Sequence, residues 1–155
     1  MDDAHARIIN EIRYAERLCL RTACMYRRAQ TIGTFVTVLA GGGALGASAA
    51  QLPAWMTATG AVLFAAFGAA LLAIRPADKA AANEVDARRY AKLRTDVMGC
   101  DAATAATLLA KARESDAAEV EPLRDVAYND LVVEVGRPDL VVPLRINQRV
   151  LAALA

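Results

Sequence analysis

The 155-residue chain has one histidine, His5, and three cysteines, Cys19, Cys24 and Cys100. So few ligands leave most site chemistries without their parts. The Cys19/Cys24 spacing matches no zinc pattern, and neither a metal site nor a cofactor is expected. There is no glycine-rich phosphate loop, no nucleophile elbow and no His-based dyad, so an enzyme is not expected. A net charge of +1 gives no basic surplus for nucleic acid.

The absence with the largest consequence is local. From Ala29 to Ile74, about 46 residues, there is no Asp, Glu, Lys, Arg or His. That length suffices for two bilayer crossings at roughly 20 residues each. Gln51, Leu52 and Pro53 divide the run with a polar residue and a helix breaker. The expected organisation is a cytoplasmic amphipathic helix over 1–30, a first transmembrane helix over 31–49, an external loop at 50–53, a second transmembrane helix over 54–74, and a cytoplasmic helical region over 75–155. Trp55 falls at the depth where an amphipathic ring favours the membrane interface. A buried soluble hairpin is the alternative, but the rest of the chain is too short to wrap two apolar helices of this length. The first apolar run begins too far from Met1 for a cleaved signal peptide.

The flanks predict the orientation. Arg13, Arg17, Arg21, Arg27 and Arg28 precede the first span, and Arg75, Lys79, Arg88, Arg89, Lys92 and Arg94 follow the second. The loop carries no charge, so both termini are expected in the cytoplasm of a multi-pass protein. With no carboxylate, Lys or Arg inside the spans, a proton relay, voltage sensor or coupled transporter is not expected.

Within the second span Ala61, Ala65, Ala69 and Ala73 recur every four residues, and Gly42 and Gly46 stand in a G-x-x-x-G relation in the first. Small ridges of this kind let helices approach closely, either within one chain or between subunits of a homo-oligomer. Thr34, Thr37, Gly41 and Ser48 share one face of the first span. They would line an aqueous path if several copies assembled, or simply bond their own i−4 carbonyls.

Outside the spans the pattern is helical. Ile8, Ile12, Ala15, Cys19, Thr22 and Tyr26 form one apolar seam that runs into the first span. Pro76 opens a charged helix, about Asp78 to Met98, whose seam is Tyr90, Leu93 and Val97. The two are expected to pack as an antiparallel pair. Gly99 ends the second, and Asp101 caps a helix from Ala102 to about Ser115. Pro122 suits the first turn of a helix over Leu123–Val135, closed by Gly136, Arg137 and Pro138, and a last helix is expected from Val142 to Leu154. Leu131, Val132 and Val133 could read as a strand, but the flanking Asn129, Asp130 and Glu134 argue against it. His5 is expected to lie in a frayed terminus. The fold class is thus an all-α membrane protein, a two-helix transmembrane hairpin continued by an N-terminal helix and a C-terminal helical bundle.

This layout, with the tail segment Val126, Ala127, Tyr128, Asn129, Asp130 followed by Gly136, resembles the SLATT family of bacterial two-transmembrane effector domains. The resemblance implies residence in the bacterial inner membrane and a role in bacterial defence or conflict systems, beside a nucleotide-generating or nucleotide-sensing protein partner. It implies membrane disruption, by a pore that kills or arrests the cell. The expected function is a homo-oligomeric pore-forming or membrane-disrupting effector in the lipid bilayer, gated through its cytoplasmic helices. The alternative is a non-conducting membrane anchor that recruits a cytoplasmic partner through its C-terminal helices, residues 123–155.

Overall fold

The computed structural model describes residues 3–51 and 53–155; Leu52, at the expected break, lies outside the described residues. Every regular element among them is helical: α1 (Asp3–Ala49), α2 (Ala54–Ile74), α3 (Pro76–Asp96), α4 (Ala102–Arg113), α5 (Arg124–Glu134) and α6 (Ile146–Leu154), with 3₁₀ turns at Val97–Gly99, Glu121–Leu123 and Pro138–Leu140. Leu131, Val132 and Val133 are helical, within α5. The chain divides into two compact units, one of Met1–Met25 with Lys79–Ala155, the other Tyr26–Asp78. α1 is a single helix across that division.

In the Tyr26–Asp78 unit, two helices are long and apolar enough to cross a membrane. α1 ends at Ala49, a left-handed residue, Gln51 (φ 52°), follows it, and Pro53 precedes α2. α2 ends at a second left-handed residue, Arg75 (φ 51°), with Pro76 opening α3. Neither residue is glycine, so each left-handed position costs about 1–2 kcal/mol. No residue of α2 is buried, and Trp55, Val62, Leu63, Phe64, Leu72 and Ile74 are all exposed. A soluble protein would cover such a surface, because burying each large apolar side chain contributes about 1.5–3 kcal/mol.

The two helices of this unit meet antiparallel through glycines. A Cβ at Gly33 would lie 2.7 Å from Leu71 Cδ2, one at Gly41 would lie 2.8 Å from Phe64 Cδ2, and one at Gly60 would lie 3.0 Å from Ala44 Cβ. Those separations are shorter than ordinary carbon–carbon contact, about 3.5–4.0 Å. Glycine at these three positions is what permits the approach.

In the polar unit the seam residues form the core. Ile12, Ala15 and Cys19 of α1 cluster with Tyr90, Leu93 and Val97 and with Ala105 and Leu109 of α4, and Ile8 packs against them. A second cluster joins Leu18 to Leu123, Val126, Ala127 and Ala155, with Met25, Leu144 and Leu151 against it. Tyr26, expected to extend the seam, is half-buried and belongs to the other unit.

Two expectations for this unit are corrected. His5 is not in a frayed end: it lies on α1, is buried, and its Nε2 is 2.9 Å from the Val97 carbonyl. The last helix begins at Ile146 rather than Val142. Pro143 disfavours helical backbone at Val142, which instead pairs with Asn129 through its own N–H and C=O at 2.8 Å each. Asp101 caps α4 as expected, its carboxylate accepting from the N–H groups of Ala103 and Thr104. Gly136, left-handed at φ 73°, follows α5.

Candidate functional site

At 100° per residue, Thr34, Thr37, Gly41 and Ser48 span an arc of about 60° on α1. The structure divides them. Gly41 faces Phe64 of α2, and Thr37, half-buried, donates its hydroxyl to the Gly33 carbonyl at 2.8 Å. Thr34 and Ser48 are exposed, and Thr34 Oγ1 accepts from Gln30 Nε2 at 3.1 Å. Thr31 and Thr59 also bond the carbonyl four residues back, at Arg27 and Trp55.

The small-residue ridges are turned away from the contact between α1 and α2. A Cβ at Gly42 or Gly46 would meet nothing within 4 Å. Ala61, Ala65, Ala69 and Ala73 are likewise exposed. The residues that let α1 and α2 touch are Gly33, Gly41 and Gly60, and of these only Gly41 stands out in the sequence. A ridge of repeated alanines is easy to see, whereas single glycines opposite Leu71 and Ala44 need the partner helix to give them meaning.

Arg17 and Arg21, before the first span, have structural partners as well. Arg21 grips Asp130 with two bonds, Nε at 2.7 Å and Nη2 at 3.0 Å, and Arg17 reaches Glu134 at 2.6 Å. Arg94 pairs with Glu16 at 2.9 Å. The Asp130 bond raises the Arg21 pKa further. Two residues of the tail segment are thereby explained: Asn129 holds residue 142, and Asp130 ties α5 to α1.

The polar unit also carries an open cleft of about 620 Å³, lined in part by Tyr14, Tyr90, Arg113, Asp116, Glu119 and Arg124. Its floor is a latch on the segment after α4. Asp116 accepts from Tyr90 Oη at 2.6 Å and from Arg89 Nη2 at 2.5 Å, while Asp86 accepts the N–H of Ala117 at 2.8 Å. Burial and the Asp116 bond push the Tyr90 phenol pKa up. Burial is also the main reason the Cys19 thiol is raised to about 12, with Asp116 and Asp86 adding to it. Cys19 accordingly sits in the core, in one cluster with Ile12, Tyr90 and Leu93. Of the charged cleft residues, Arg124 pairs with Glu119 at 3.1 Å, while Arg113 and Asp116 pair with Glu11 and Arg89 outside the lining.

No protein-family model, curated protein or solved structure matches the chain.

Proposed function

We propose that the chain is a membrane-embedded, homo-oligomeric pore-forming or membrane-perturbing protein, gated through its polar helical unit, with both termini in the cytoplasm. One observation carries the reading. α1 is a single helix whose N-terminal half supplies buried core residues, Ile12 and Leu18, and whose C-terminal half presents Thr34, Gly42, Gly46 and Ser48 exposed. Small residues facing outward from a lipid-embedded helix favour close approach of another helix. Hydroxyls beside them suit a narrow wet path once copies surround an axis. A change in packing around Ile12 acts on the same helix that carries this face, which is the coupling a gate needs. Service in a bacterial conflict system, at the inner membrane and beside a nucleotide-handling partner, follows from the SLATT resemblance and is part of the proposal.

The test is ion flux from liposomes holding the purified chain, compared with its Gly42→Leu variant. A Cβ at Gly42 meets no other part of the chain within 4 Å, so the substitution enlarges an open face of α1 without forcing it away from α2. Flux in the parent that the variant loses supports the pore. Equal flux in both removes α1 from the path, and no flux at any protein density favours the non-conducting anchor.

A further inference from the structure

α6 is a nine-residue helix with apolar residues on two faces. One face is accounted for: Leu151 and Ala155 pack in the same cluster as Met25 of α1, four residues before the charge-free stretch begins at Ala29. The other face is open. Ile146 is 81% exposed and Val150 57%, one helical turn apart, and Leu140, Val141 and Val142 on the approach to α6 are exposed too. Five large apolar side chains are thus exposed within residues 140–150, and apolar surface concentrated in this way marks an interaction site.

The charge around them is one-sided. Residues 135–155 hold three arginines, Arg137, Arg145 and Arg149, against a single acid, Asp139. Arg137 pairs with Asp139. Arg145 and Arg149 have no carboxylate partner among the described residues, and they flank Ile146 and Val150 in sequence. Arg149 Nε donates to the Leu144 carbonyl at 3.1 Å, which leaves its charge without a counter-ion, and an apolar helical face bordered by such arginines complements an anionic lipid surface. The apolar groups enter the acyl boundary, while the guanidinium groups reach back to phosphate. A chain embedded in a bilayer through Tyr26–Asp78, the reading on which this inference rests, has that surface always at hand.

We infer that α6 and the segment before it, residues 140–150, form a second membrane contact that docks on anionic phospholipid headgroups through Ile146, Val150, Arg145 and Arg149. The test places a reporter on the open face. Trp55 is the only tryptophan, so Ile146→Trp in a Trp55→Phe background reports one position. Lys111→Trp, on an exposed position of α4, serves as the control. The full-length chain is reconstituted in vesicles of brominated phosphatidylcholine with or without brominated phosphatidylglycerol.

The expected result is a blue-shifted emission from residue 146 that brominated phosphatidylglycerol quenches, with the control unquenched. Arg145→Glu with Arg149→Glu should then remove the quenching. A blue shift without quenching would mean that a protein surface, such as a second copy, covers α6, and would overturn the proposal. A red, unquenched emission would place residue 146 in water and overturn it as well. The parent reports separately: if bromines fail to quench Trp55 itself, membrane embedding fails, and this docking fails with it.

Discussion

The glycine contacts between α1 and α2 can be tested by adding one methyl group at a time. In Gly60→Ala the new Cβ sits 3.0 Å from Ala44 Cβ, 3.1 Å from the Ala40 carbonyl oxygen and 3.2 Å from the Ala44 nitrogen. Two of these neighbours are backbone and the third is a Cβ, so none can swing aside. The helices must separate, and overpacking of this kind costs about 1–3 kcal/mol. Against that, alanine is favoured over glycine inside a helix by roughly 1 kcal/mol. Gly68→Ala isolates the two effects, because its Cβ meets nothing within 4 Å while the helical gain is the same. The difference between the two variants should therefore be about 1–3 kcal/mol in helix–helix stability, with Gly60→Ala the weaker. Gly33→Ala should fall between them: its neighbour is the flexible end of Leu71, and a strained rotamer there costs about 0.5–1.5 kcal/mol. Energy transfer between labels on α1 and α2 during a denaturing-detergent titration reads the ranking. Equal midpoints for Gly60→Ala and Gly68→Ala would mean that a Cβ at residue 60 does not push the helices apart.

Two further outcomes follow from the polar unit. Cys19, buried and with its pKa near 12, should resist maleimide at pH 8 while the half-exposed Cys24 and Cys100 react; mass spectrometry of the labelled peptides measures this, and labelling at Cys19 as fast as at Cys24 would contradict the burial. Asp101 has its pKa lowered chiefly by the Thr104 hydroxyl and N–H, so its charged cap on α4 is fully present above the ordinary carboxylate pKa and is lost as pH falls through the lowered value. Parent and Asp101→Asn, which keeps a neutral cap, should differ in helicity at neutral pH and converge in acid, as followed by circular dichroism; a constant difference across that range would exclude the cap charge as the cause.

Much of this architecture can be read from residue order. The charge-free run, Pro53 and Pro76 mark the ends of α2. The seam of Ile12, Cys19, Tyr90, Leu93 and Val97 is the observed core, because helical periodicity reports burial directly. Asp101 announces α4 through the chemistry of its side chain. What escapes is whatever depends on residues far apart in sequence. His5 looks like part of a loose end until Val97, 92 residues later, offers its carbonyl. The start of α6 depends on Asn129 capturing the backbone of Val142, which overrides an apolar pattern that continues through Pro143. The ridge of Ala61, Ala65, Ala69 and Ala73 is plain in the sequence, yet periodicity alone does not say which neighbour a small face meets. Here α1 meets Gly60 and Phe64 instead.

The polar unit is assembled from both sides of an inserted stretch: Met1–Met25 supplies Ile12, and Lys79–Ala155 supplies Tyr90. These halves can close one core only if everything between them crosses a bilayer an even number of times, or not at all. A chain that threaded one helix and stalled would strand Arg17 and Arg21 across the lipid from Glu134 and Asp130. For a stretch that crosses a bilayer, the core can close only after the whole stretch has been synthesised and both its flanks lie in the same compartment.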